Sequence, residues 1–148
     1  MHIAILSSSG IDYLFRWGHF LFGVAWIGLL YYFNFVQTEY FKEAEASAKA
    51  DALQKLAPRA LWWFRWAALF TFLTGFGLLG FKGPASNLYT YTAALLGTLM
   101  FLNVWLIIWP NQKKVIAGAE DAARAGAKAG LASRTNTLFS APMLFFMG

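Results

Sequence analysis

Residues 17–38, WGHFLFGVAWIGLLYYFNFVQT, form an apolar run without a formal charge and with one histidine, His19, near its start. Wound as a helix, a run of that length matches the roughly 30 Å hydrocarbon core of a bilayer. A titratable group inside such a span is costly to keep there, so His19 marks a functional site by default.

The rest of the chain fits the same class. Hydrophobic residues make up 59% and charged residues only 13%, with seven tryptophans, far from the balance of a soluble domain. Apolar runs at residues 14–37, 61–81 and 88–109 predict three full spans, and a fourth at 137–148 would be incomplete. The fold class expected is an all-α integral membrane bundle of three transmembrane helices plus the first half of a fourth. Alanine-rich cytosolic helices would connect the spans, with Pro58 and Pro110 at their junctions. The whole of 1–148 reads as one domain. The N-terminal MHIAILSSSGID lacks a basic stretch and does not read as a cleaved signal peptide.

Basic residues set an expected orientation. Lys42, Lys49, Lys55 and Arg59 fall between spans one and two, and Lys113, Lys114, Arg124, Lys128 and Arg134 follow span three. Both segments should be cytoplasmic, with the N-terminus periplasmic, in a bacterial inner membrane. The net charge of +5 sits on these segments, where anionic lipid headgroups suffice as partner, so nucleic acid is not called for. Glu45 with Lys49, Asp51 with Lys55, and Glu120 with Arg124 are spaced to pair along helices.

Few residues can carry chemistry. There is no cysteine, which excludes disulfides, thiolate metal sites and covalently attached c-type haem. No paired intramembrane carboxylates, activated nucleophile, phosphate loop or dinucleotide fingerprint is present, so no self-contained enzyme is expected. Arg16, His19, Gly23 and Trp26 share one helical face. They could wall a b-type haem, His19 ligating the iron and Arg16 pairing with a propionate. Equally, His19 could be an interhelical hydrogen-bonder, Arg16 a snorkelling cation and Gly23 a packing position. His2 lies outside the first span, so a second ligand would come from another subunit, or the iron would be five-coordinate, or there is no haem. Arg65, among Trp62, Trp63 and Trp66, reads as a snorkelling cation held by aromatic faces. Asn34, Gln37, Thr71, Thr74, Thr98 and Asn103 read as interhelical glue. Pro142 should kink the fourth span.

Four blocks carry a resemblance: RWGHFLFGVAWIGLLYYFNFVQ (16–37), KLAPRALWWFRWAALFTFLTG (55–75), NVWLIIWPNQKKVI (103–116) and ASRTNTLFSAPMLFFM (132–147). Together they resemble the N-terminal membrane domain of the bacterial urate hydroxylase family. The resemblance implies a membrane protein related to urate oxidation, in which electrons pass to a fused c-type cytochrome, and it places any haem or catalytic role on His19 with Arg16 beside it. The chain departs from that pattern in having no CxxCH and in stopping within its fourth span. Two functions follow as expectations: a small accessory or anchoring subunit of a larger respiratory or photosynthetic membrane complex, or a b-type haem protein or urate-oxidising component using His19.

Overall fold

The computed structural model describes residues 4–83 and 86–148. His2 and part of the turn after the second span, Pro84 and Ala85, lie outside the described residues, as does the start of the N-terminal segment.

Four long helices account for nearly all of the described chain: α1 (Ser8–Glu43), α2 (Ala46–Lys82), α3 (Leu88–Ile116) and α4 (Ala122–Met147). The first three are long and apolar enough to cross a membrane. Ser7 starts α1 by accepting the Gly10 amide proton at 3.1 Å, and Asn87 starts α3 by accepting that of Thr90 at 3.0 Å. Each side chain satisfies a donor that the first helical turn leaves open. Gly83 and Gly118 take positive φ, 48° and 62°, where a side chain would be strained and where glycine can turn the chain out of α2 and α3.

The expected connecting helices run on directly from the spans. At 36 residues, α1 is about 54 Å long at 1.5 Å per residue. The continuity of α2 and α3 through their prolines has a local cause. Pro58 is preceded by a π-helical stretch, Ala52–Leu56, and Pro110 by another, Asn103–Ile108. Proline lacks an amide proton and crowds the carbonyl four residues back, and the wider π turn relieves both demands. A third π stretch, Tyr32–Gln37, has no proline. There the Asn34 amide donates to the Leu30 carbonyl at 2.8 Å and the Thr38 hydroxyl to the Phe33 carbonyl at 2.7 Å, supplying partners where the ladder changes register.

The fourth helix also departs from expectation. It begins at Ala122, well before residue 137, and Pro142 lies within it. Its buried residues Ala125, Ala129, Ala132, Asn136, Ser140 and Met143 recur every three or four positions, the period of one helical face.

The helices pack mainly as two pairs, α1 along α2 and α3 along α4. In the first pair aromatic rings lie against glycines: Phe15 over Gly77, and His19 over Gly75. The second pair is bound at its middle by Asn136, which is fully buried. Its amide donates to the Met100 carbonyl at 3.0 Å, and its oxygen accepts from Asn103 at 2.9 Å. Between the pairs, Asn34 donates to Ser133 at 2.7 Å. The Ser140 hydroxyl gives its proton to the Thr137 carbonyl at 2.7 Å, so in the 2.8 Å contact between Tyr31 and Ser140 the tyrosine is the donor. Trp26, Leu30, Phe64, Met100 and Val104 fill the core nearby.

Of the three expected surface ion pairs, Asp51 with Lys55 is present. Elsewhere the salt bridges are Arg16 with Asp12, Lys42 with Glu39, and Lys114 with Asp121, while Lys49 lies 5.6 Å from the Phe41 ring centre. Arg65 rests 3.9 Å over Trp109 of α3 and 5.6 Å from Trp66. Its closest aromatic partner therefore comes from a helix that local spacing did not suggest.

Candidate functional site

His19 projects from α1 across the groove to α2. Its Nδ1 lies 2.9 Å from the Thr71 carbonyl oxygen and 3.2 Å from the Thr74 hydroxyl. A carbonyl can only accept, so Nδ1 carries the proton and the neutral ring keeps its lone pair on Nε2. The same bond fixes the ring orientation, as the second ring nitrogen of a metal-binding histidine usually requires. The ring fits because residue 75 is glycine: a Cβ there would stand 3.0 Å from His19 Cε1 and 3.4 Å from Nδ1.

Beside His19 opens a cavity of about 750 Å³ walled by all four helices. That volume lies within the usual range of small-molecule and cofactor sites. Its lining is mostly apolar and includes many small residues, among them Gly23, Gly75, Ala93, Ala94 and Gly97. Thr71, Thr90 and Thr98 also line it, but their hydroxyls donate to the Ala67 carbonyl, Asn87 Oδ1 and the Ala94 carbonyl respectively. Arg16 and Lys82 are the two cations of the wall, and both also line a smaller recess of about 280 Å³ with Ser8, Ser9 and Asp12.

The structure thus brings Arg16, His19, Gly23 and Trp26 to one cavity. It gives Arg16 a partner that the sequence reading overlooked, Asp12 at 2.6 Å, although the spacing of four residues could have signalled it. Asn34 and Asn103 lie away from the cavity and bind α4 directly, whereas Thr71 and Thr74 position His19. The α3 and α4 walls, including Gly97 and Met143, were not foreseen, because nothing in the local pattern of α4 announces which helices it will pack against.

The arrangement suits a flat, largely apolar ligand with an electron-pair acceptor at its centre and anionic groups at its edge. Among the described residues no three His, Cys, Asp or Glu side chains cluster to hold a metal ion by themselves.

Fold and site together describe an all-helical protein with three helices long and apolar enough to cross a membrane, built around a histidine-walled cavity. Residues 81–148 match the urate oxidase N-terminal family. The match takes in α3 and α4, while His19 and Arg16 lie outside it. No curated protein and no solved structure matches the chain.

Proposed function

We propose that the chain is a membrane-embedded redox module of the urate oxidase N-terminal family, holding a b-type haem with His19 as axial ligand. One observation carries this reading: a histidine with its tautomer fixed by a backbone carbonyl, its Nε2 without a hydrogen-bond partner among the described residues, on the wall of a cavity of about 750 Å³. His19 would hold the iron, and Arg16 and Lys82 would face the propionates. Bound haem would supply one-electron exchange. The chain's own contribution is to orient the imidazole through Thr71 and Thr74 and to surround the macrocycle with small, apolar side chains. The lysine and arginine distribution supports placing the His19 end on the periplasmic side.

The test is a reduced-minus-oxidised visible spectrum of protein purified in mild detergent, with His19→Ala at equal concentration and circular dichroism as a control for folding. A b-type signal in the wild type that is lost in the folded variant would support the reading. A featureless spectrum from folded wild-type protein would sink it.

A second reading has its own observation. Phe20, Val24 and Leu144 line the cavity and are also exposed, Phe20 to 75%, so a neighbouring apolar surface could seal it. That favours an anchoring subunit within a larger membrane complex, a role compatible with haem. It predicts co-purification with that complex in mild detergent and loss of the association when Phe20 is replaced by arginine.

A further inference from the structure

We propose that Arg65 and Lys113 form a seat for the phosphate of an anionic membrane lipid, where the apolar runs of α2 and α3 meet the polar boundary. The assignment rests on membrane insertion and is independent of the haem reading. Neither residue lines the His19 cavity, and Arg65 precedes Gly75 by about 15 Å along α2. The Trp109 ring gathers the two cations, with the Arg65 guanidinium carbon 3.9 Å and the Lys113 ammonium nitrogen 5.5 Å from its centre. Like charges brought to one ring repel, yet among the described residues no carboxylate pairs with either. The salt bridges go instead to Arg16, Lys42, Lys55 and Lys114.

The donors of Arg65 point to what is missing. Its Nε is enclosed without a hydrogen-bond partner, and its terminal nitrogens, which have none either, are not enclosed. The guanidinium thus presents its N–H groups outward with no acceptor in the protein. Depth selects the acceptor. Arg65 stands one turn inside the apolar run 61–81, and Trp109 closes the run 88–109. Trp62 and Trp63, exposed to 47% and 62%, flank the site with rings of the kind that collect at headgroup level. A cation placed there is costly without a counter-charge. A phosphate supplies one: the planar guanidinium grips two of its oxygens, the ammonium adds a point charge, and the indole holds both in place. A lipid suits the site better than a soluble anion, because Leu106 and Leu102, on the turns of α3 before Trp109, are exposed and apolar, a surface for the acyl chain.

The experiment is native mass spectrometry of the full chain in mild detergent, titrated with dioleoyl phosphatidylglycerol or dioleoyl phosphatidylcholine. The anionic lipid should bind more tightly, and Arg65→Gln and Lys113→Gln should each weaken it about tenfold, the loss of one charge-assisted contact. Arg65→Lys should also weaken it, since the charge remains but the planar fork is gone. Lys128→Gln, which removes the same charge from α4, should leave binding unchanged. Equal binding of the two lipids, or an equal loss in Lys128→Gln, would reveal general attraction to a basic protein and overturn the seat. Inorganic phosphate at the same molar excess should not displace the lipid; displacement would mark a free-anion site and overturn the lipid assignment. Lys113 is exposed, so Lys113→Gln carries the test if Arg65→Gln does not fold. The readout is lipid mass alone, so a featureless haem spectrum would sink the redox reading and leave this one standing.

Discussion

Phe15 of α1 lies against the bare backbone of Gly77 in α2, so closely that a Cβ at residue 77 would stand 2.6 Å from Phe15 Cδ1 and 3.0 Å from Cζ. No real Cβ tolerates that approach, so residue 77 has a glycine because residue 15 has a ring.

Gly77→Ala is therefore expected to destabilise the α1–α2 pair by about 1–3 kcal/mol, the usual cost of overpacking a filled contact. Thermal melting in detergent checks this. Phe15→Leu in the same chain should recover most of the loss, and a double mutant no better than Gly77→Ala would disprove the pairing.

Gly75→Ala tests a different property. The added methyl meets the imidazole rather than a phenyl ring, at 3.0 Å from Cε1, and His19 is tethered to Thr71 and Thr74. The melt should change by less than in Gly77→Ala, while, on the proposed haem reading, the visible spectrum or haem occupancy shifts. Identical spectra in the two proteins would detach Gly75 from the site.

Asn136 is the polar residue whose loss should cost most among the interhelical contacts. Removing its side chain leaves the Asn103 amide without its partner and takes from the Met100 carbonyl one of its two donors, the other being the Asn103 backbone N–H. Interhelical hydrogen bonds in membranes average roughly 0.6 kcal/mol with a maximum near 1.7, so Asn136→Ala should lose about 1–2 kcal/mol for its two. Tyr31→Phe, which removes one bond to Ser140, should lose less. The reverse order in chemical unfolding would contradict this account.

The turn between α3 and α4 carries a pH signature. Lys114 hydrogen-bonds Asp121 at 2.6 Å and holds its carboxyl below the usual range. A lowered folded-state value means the contribution is present above the ordinary carboxylate pKa and is lost as pH falls through the lowered one. Carboxyl NMR titration should show the Asp121 midpoint rising in Lys114→Met. Since both partners are half exposed, global stability should barely respond.

The parts legible in the sequence were those written in composition and short spacing. Long apolar runs predicted α1, α2 and α3, and the cost of a buried titratable group singled out His19 before any contact was known. Pro58 and Pro110 do mark junctions, each in the first turn of an α-helical stretch, while the π turns that precede them depend on hydrogen-bond register and leave no residue signature. The first half of α4 misled. Alanine and glycine with scattered cations read as a solvated connector, yet Ala125, Ala129 and Ala132 already carried the spacing of a buried face. What the cavity needed from α3 and α4 was invisible, because Gly97 and Met143 reach its wall only once α3 and α4 have packed together.

The hydrogen bonds joining the helix pairs, Asn34 to Ser133 and Tyr31 to Ser140, tie α1 to α4 away from the His19 level. The bundle is clasped partway along its length, as tongs are at the pivot, and the jaws lie to one side of the clasp. Substitutions in the jaws can then change what is gripped while the clasp keeps the fold, and substitutions in the clasp alter the spread of the jaws without touching a ligand. Evolution along such a chain is free to exchange one guest for another while the hinge sequence stays put.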